Sequence, residues 1–426
     1  MPPKPTGPPT VRMYNVGFGD CFLLTFPYAA GDRHVLIDFG SHPKAKGADK
    51  GYMETIARDI ATHVNGGRLA VVATHRHADH ISGFETKGGK ASGDIVRALK
   101  PTIVVQPWTE SPTAARDAHG PAFRARARAF HRSLDAMERF AAALVQGLPA
   151  VPRFVTRSQR ERLGYIGEDV IKNKSAVENL MTMGTRKPAY VYAGSKSGLE
   201  TFLPGVKIHV LGPPTLEQAP DIRSYAEKSP EYWLRRRRIA LGGRSAARAG
   251  AIDAPPFAAA YRRSARRPAP HAEWFVRKMR RAYAEELLGI VTMLDDVMNN
   301  TSIILLFEVG GQKLLFPGDA QLENWSYALK TYRSLLSGVT VYKVGHHGSL
   351  NATPKSLWTL LTSSSTGVGK ASFKTLLSSR SGVHGGEDDR PTEVPRGPLV
   401  DALKEQSQYT TTLDEPDVGQ ARVVPL

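Results

Sequence analysis

The run Leu69-Ala70-Val71-Val72-Ala73, followed at once by Thr74-His75-Arg76-His77-Ala78-Asp79-His80, constrains this chain more than any other stretch. A short apolar run of this kind reads as a buried strand. Three imidazoles and a carboxylate then fall within seven residues where the chain leaves the sheet. A tight loop there can present His75 and His77 on one side and turn Asp79 and His80 toward a second ion. The other reading is a surface loop that gathered histidines by chance, although the whole chain of 426 residues holds only 13. Imidazole with carboxylate suits zinc, manganese or iron.

The flanking sequence supplies more sheet. Val11 to Val16 and Cys21 to Phe26 are apolar segments around Gly17-Phe18-Gly19-Asp20, and His34 to Asp38 is a third, ended by Gly40. Met53, Ile56, Ile60 and Val64 recur at near-helical spacing and predict a helix over Tyr52 to Val64. Ile95 to Leu99 reads as a helix end and Ile103 to Val105 as a strand. Strand rhythm returns after residue 288. Ser302 to Val309, the Gly310-Gly311 turn and Lys313 to Phe316 predict a hairpin. A helix over Glu323 to Leu336, strands over Val339 to Val344 and Lys374 to Ser378, and a helix around Leu399 to Gln406 follow.

Between these halves the sequence is rich in alanine and arginine. Strand-like pieces occur there at Ala189 to Ala193 and Val206 to Leu211, and Ala114 to Leu148 predicts one or two helices with an arginine-studded face. A chain of 426 residues exceeds the length at which single cores stop growing, roughly 250 to 300 residues, so one domain with large insertions or two domains are expected. The boundaries drawn are a disordered proline-rich tail over 1–10, a first half-domain over 11–108, an insertion over 109–288 and a second half-domain over 289–426.

Charge is the unusual part of the composition. Hydrophobic content of 41% and charged content of 23% are ordinary, but the formal net charge is +17. Residues 223 to 281 hold sixteen Lys and Arg against four Asp and Glu, including Arg235-Arg236-Arg237-Arg238 beside Tyr232 and Trp233, then Arg262, Arg263, Arg266 and Arg267. This points to a nucleic-acid or other phosphate-bearing partner, against the alternative of a solvated basic face. Cys21 is the only cysteine, which excludes an intrachain disulfide and a thiolate metal cage and leaves a buried thiol as its expected role. No apolar run approaches the ~20 residues of a membrane span, and Met1-Pro2-Pro3-Lys4-Pro5 has no signal-peptide core. The expectation is a soluble, cytoplasmic protein with no membrane partner.

Two further polar clusters sit at strand ends, Phe316-Pro317-Gly318-Asp319 and Val344-Gly345-His346-His347-Gly348-Ser349. Each sets glycine beside the polar residue, which lets a ligand leave a rigid strand into a cleft. Either alone is weak, a turn signal or a pair of histidines. With the histidine loop they resemble the metallo-β-lactamase superfamily, over roughly residues 11 to 108 and 289 to 410. Within it the chain is most similar to the soluble hydrolase domain of competence-type DNA-uptake channel proteins, through Asn15 to Cys21, Leu36-Ile37-Asp38-Phe39-Gly40, the histidine motif, Leu315 to Asp319 and Lys343 to Ser349.

The resemblance implies an α/β fold, an αβ/βα sandwich of two mixed sheets flanked by helices, here with a large basic, mainly helical insertion. It also implies two divalent metal ions, zinc or manganese. His75 and His77 would bind one, Asp79 and His80 the other, and Asp319 would bridge them. His346 is the choice for the remaining ligand of the second ion, with His347 as competitor; the spare histidine would protonate the leaving group or touch substrate. Asp79 would orient the nucleophile. Asp38 would fix the histidine loop or serve as a cap or turn residue, and Asp20 would hydrogen-bond backbone near the metals or cap the glycine turn. Many family members supply a third histidine to the first ion just before the strand that begins here at Ser302. This chain has Met298-Asn299-Asn300-Thr301, so Asn299 or Asn300 would give an amide oxygen or hold water, shifting preference toward manganese or magnesium. His384 would either reach the cleft or lie in a surface loop.

Such a centre hydrolyses lactams, thioesters and phosphodiesters alike. The arginine-rich insertion favours a phosphodiester polymer, and Tyr232, Trp233, Tyr261 and Trp274 would stack on unpaired bases or form the insertion's own core. A nuclease acting on DNA or RNA is therefore the first expectation. A hydrolase of a small anionic ester or nucleotide, with the insertion as a lid, is the second, and a non-catalytic nucleic-acid-binding or complex-forming subunit is the third.

Overall fold

Successive residues of the apolar runs bury against different partners, which is why those runs carry no polar face. In β2 (Cys21–Phe26), Phe22, Leu24 and Phe26 enter one core cluster while Cys21 and Leu23 enter another. The same alternation divides Val35 and Ile37 from Leu36 in β3 (Arg33–Phe39), and Ala70 and Val72 from Leu69 and Val71 in β4 (Arg68–Val72). The first cluster lies between two sheets, and the second lies under helices Tyr52–Val64 and Ser92–Ala98.

The computed structural model describes residues 3–43, 48–111, 174–215, 217–219, 298–351, 353–363, 372–383, 393–414 and 417–426. The chain divides into two compact units, and the described residues all belong to the one formed by 1–128, 172–236 and 297–426. The first sheet also holds β1 (Thr10–Tyr14), β5 (Val104–Pro107), β6 (Ala189–Val191) and β13 (Ala421–Pro425), in the order β13-β1-β2-β3-β4-β5-β6. The second sheet runs β12 (Gln408–Thr411), β11 (Lys374–Leu377), β10 (Val341–Lys343), β9 (Gln312–Phe316), β8 (Ile304–Val309) and β7 (Lys207–Gly212).

Both sheets are mixed. The strands β3 to β6 are mutually parallel, as are β9 to β12, while hairpins join β1 to β2, β2 to β3 and β8 to β9. On the outer face of the second sheet, Trp325, Ala328, Leu357, Leu361 and Leu403 of helices Leu322–Thr331, Lys355–Thr362 and Gly397–Gln406 pack against Leu306, Leu315, Tyr342 and Leu377. The result is α/β, two mixed sheets flanked by helices.

The helix expected over Tyr52 to Val64 has those bounds. The strand before the histidine loop ends at Val72, one residue before the apolar run does. The pieces expected near Ala189 and Val206 are strands of the two sheets, one in each. Helix Lys174–Thr182 packs Ala176 and Leu180 into the first sheet's outer core, so this part of the 109–288 segment belongs to the sheet-and-helix framework. The expected helices over Ala114 to Leu148, the arginines from Arg235 to Arg267 and His384 lie outside the described residues. Among the described residues, no helix is long and apolar enough to cross a membrane.

Candidate metal centre

Parallel strands deliver their carboxyl ends to one edge, and that edge is where polar groups can converge without interrupting a ladder. Asp38 stands at the end of β3, Thr74 follows β4, Asp319 follows β9, His346 and His347 follow β10, and Ser378 follows β11. Backbone bonds then draw the two sheets' ends together. Ile303 N–H, before β8 of the second sheet, donates to Thr74 O at 3.0 Å, and within the first sheet Asp20 N–H donates to Asp79 O at 2.9 Å. The Asp20 turn needs glycine beside it: at Gly19 (φ +149°) a Cβ would lie 2.3 Å from Gly40 O and 2.6 Å from Asp79 O.

Asp79, His80, Asp319 and His347 form one buried group whose ligand-type atoms lie within 4.8 Å of one another, and His75, His77 and Asp79 form a second on the same criterion. Asp79 is common to both. His80 Nε2 faces Asp319 Oδ2 at 3.0 Å, and His347 Nε2 faces Asp79 Oδ2 at 2.9 Å and Asp319 Oδ2 at 3.6 Å. The His75 and His80 rings lie 4.2 Å apart and those of His75 and His77 4.7 Å apart. Buried His/Asp groups of this kind could hold metal ions.

The surrounding hydrogen bonds decide which nitrogen each ring turns inward. Asp38 accepts from Thr74 N–H at 2.7 Å, Thr74 Oγ1–H at 2.7 Å and His80 Nδ1–H at 2.8 Å. Because the Thr74 hydroxyl spends its proton on Asp38, it can only accept from His75 Nδ1–H, 3.2 Å away. His347 Nδ1–H donates to Ser378 O at 3.1 Å. Three imidazoles are thereby assigned the tautomer that leaves Nε2 as a lone-pair donor toward the cluster. His75 Nε2 and Asp79 Oδ1 are buried with no hydrogen-bond partner among the described residues, which is the unmet demand a cation would satisfy.

The charges divide the rings: His75 and His77 are kept neutral, whereas His80 and His347 favour the imidazolium and would give up the Nε2 proton on ligating a metal. Burial, reinforced by His80 and His77, holds His75 well below its usual pKa; burial pushes His77 down to about 4, so both stay neutral and able to ligate. Burial opposes charge on His80, but Asp319, Asp79 and Asp38 outweigh it and raise its pKa. The same balance, with Asp319 and Asp20 leading, raises His347. Asp79 and Asp319 are held low despite burial, chiefly by His80. Burial would drive the proton off Lys343, yet Asp20 and Asp319 keep it charged.

The buried group takes in His347, the competitor, and not His346, the expected choice. His346 and His347 both adopt left-handed backbone, with φ of 43° and 51°, and the turn sends the two rings apart. His347 is fully buried in the cluster. His346 directs its backbone N–H to Asp319 Oδ1 at 3.0 Å, while its Nδ1 meets Asn351 Oδ1 at 3.1 Å. Left-handed geometry costs a non-glycine residue ~1–3 kcal/mol, a strain tolerated where a site requires it.

Asn299 and Asn300 are both buried and differ in partners. Asn300 Nδ2 donates to Glu323 Oε2, whereas neither amide atom of Asn299 has a partner among the described residues. The turn carrying them is fastened to the centre, since Ser302 Oγ accepts Asp319 N–H at 3.2 Å. Asp38 fixes His80 and Thr74, and Asp20 faces Lys343, His347 and His80. Sequence reasoning assigned no role to Lys343, Thr74 or Ser378. Of these only Lys343 left a signal, a charge at the end of an otherwise apolar strand.

No protein-family model matches this chain, and no curated protein matches it significantly.

Proposed function

We propose that this protein is a metal-dependent hydrolase of metallo-β-lactamase type, acting on the phosphodiester bonds of DNA or RNA. The observation that carries the reading is the pair of buried His/Asp groups sharing Asp79, with the imidazole Nε2 atoms turned inward by Asp38, Thr74 and Ser378. His75 and His77, with Asn299, would hold one ion; Asp79, His80 and His347 would hold the other, and Asp319 would serve both. Bound divalent ions supply Lewis acidity and lower the pKa of water.

The chain's own residues do the rest. With His347 Nε2 and Asp79 Oδ2 given to the ion, Asp79 Oδ1, which has no hydrogen-bond partner among the described residues, would orient a nucleophile. His346, half-buried with Nδ1 on Asn351, is the imidazole left outside the ligand set, and in its imidazolium form its Nε2–H would give a leaving group its proton, returning the neutral Nδ1–H ring. Phe18 covers His347, ring centroids 4.5 Å apart, and limits water on that side. The net charge of +17 supports a polyanionic substrate, because each Lys or Arg contact with phosphate releases a counterion.

The test is incubation with manganese and labelled single-stranded DNA or RNA across a salt series. The expected result is metal-dependent cleavage that weakens as salt rises and vanishes in the doubly substituted Asp79→Ala, His80→Ala protein. Metal-loaded wild-type protein that leaves every nucleic acid intact overturns the substrate assignment. Cleavage at the wild-type rate by the double variant overturns the metal centre.

A further inference from the structure

Lys343 has no part in the reading above, yet it sits inside the centre. It is the last residue of β10, only 2% exposed, in a strand whose other residues are Val341 and Tyr342. Removing an ammonium from water costs several kcal/mol unless close partners repay it. Lys343 Nζ has three: the Asp20 carboxylate, Asp319 Oδ1 at 3.5 Å and the Gly318 carbonyl, to which it donates at 3.3 Å.

These contacts sort the two oxygens of Asp319. Oδ1 is held on the protein side by Lys343 and by His346 N–H at 3.0 Å, while Oδ2 faces His80 Nε2 and His347 Nε2. Asp20, at the other end of the ammonium, lies 3.5 Å from His347 Nδ1 and 3.7 Å from His80 Nδ1. Asp20, Asp38, Asp79 and Asp319 are four buried carboxylates in one site, and Lys343 is the buried lysine among them.

We propose that Lys343 is a positioning residue of the metal centre: its ammonium ties Asp319 Oδ1 back toward Asp20 and Gly318, so that Oδ2 alone is presented to the ions. The inference rests on the metal-hydrolase reading. A purely structural ion pair would stabilise the fold without influencing how ions bind, and the two roles separate experimentally.

Lys343→Met removes the charge at similar length, and Lys343→Gln keeps an N–H donor. Each is titrated with manganese alone and its paramagnetic resonance spectrum recorded, beside circular dichroism and thermal melting. Wild-type protein is expected to bind a coupled pair of ions. Lys343→Met should keep its secondary structure but bind the second ion about 10- to 100-fold more weakly, the range seen when a group supporting a ligand is lost. Lys343→Gln should recover part of the affinity and the coupled signal. A Lys343→Met protein with wild-type manganese affinity and spectrum, changed only in melting temperature, overturns the proposal. Should Lys343→Met not fold, a crystal structure of the manganese-loaded wild type decides: Oδ1 retained on Lys343 supports the proposal, and both Asp319 oxygens on the ions refute it. Wild-type protein that takes up no metal overturns the hydrolase reading itself and the Lys343 role with it. Wild-type uptake with an indifferent variant overturns the Lys343 role alone.

Discussion

Replacing Asp38 by Asn tests the hydrogen-bond logic of the centre with one atom. The carboxylate accepts three bonds, from Thr74 N–H, Thr74 Oγ1–H and His80 Nδ1–H, at 2.7 to 2.8 Å. An amide can keep its oxygen on Thr74 N–H, but then its NH2 faces the hydroxyl and the imidazole that both donate to Oδ2. Both must reverse. The Thr74 hydroxyl turns to donate to His75 Nδ1, 3.2 Å away, and His80 moves its proton to Nε2. Hydrogen bonds to a charged group contribute roughly 1.5–3 kcal/mol each, and reversal recovers part of the two lost, so a net destabilisation of about 1–3 kcal/mol is expected. The chain should therefore fold, with two of its inward imidazoles presenting the wrong nitrogen. Metal affinity should fall about 10- to 100-fold, because the loss falls on the ligands themselves. Denaturant unfolding reads the first quantity and calorimetric titration with manganese or zinc the second. A long-range proton–nitrogen correlation spectrum reports the tautomers directly. Unchanged metal affinity with His80 still protonated at Nδ1 would refute the argument.

Two further substitutions address the assignment of ligands. His347→Ala should abolish tight binding of one ion, while His346→Ala should leave metal content intact and slow turnover at saturating metal; the reverse pattern in elemental analysis would restore His346 as the ligand. Asn299→His converts a buried amide with no described partner into an imidazole, and should raise zinc affinity relative to manganese, measured by competition between the two metals. An unchanged zinc-to-manganese ratio in folded protein would remove Asn299 from the first site.

Much of the framework was legible because burial on both faces leaves a direct trace in sequence. The short uninterrupted runs at β2, β4 and β8, bounded by turn residues, read as strands buried on both faces, and the divided burial of Phe22 and Leu23 bears this out. The convergence of three distant segments was legible for a related reason: each polar cluster, two of them glycine-flanked, follows a strand, and parallel strands end together. The choice between His346 and His347 was not, because it turns on two left-handed backbone conformations that neither residue type announces. Nor was the pairing of β13 with β1, which joins Val424 to Val11 and leaves no local periodic signal beyond a short apolar stretch.

The two halves of the centre differ in how firmly they are built. Around Asp79, His80, Asp319 and His347, outward atoms are anchored by Asp38, Ser378, Lys343 and the His346 N–H. His75 is anchored only through the Thr74 hydroxyl, a neutral group that itself depends on Asp38, and Asn299 brings an amide with no partner among the described residues. A charged anchor resists rotation more strongly than a neutral one, since hydrogen bonds to ionised groups are about twice as strong. The group of Asp79, His80, Asp319 and His347 should therefore fill first and release its ion last. Loss of Asp38 should reach both, because its Oδ2 is the terminus of the His80 contact and of the chain through Thr74 to His75.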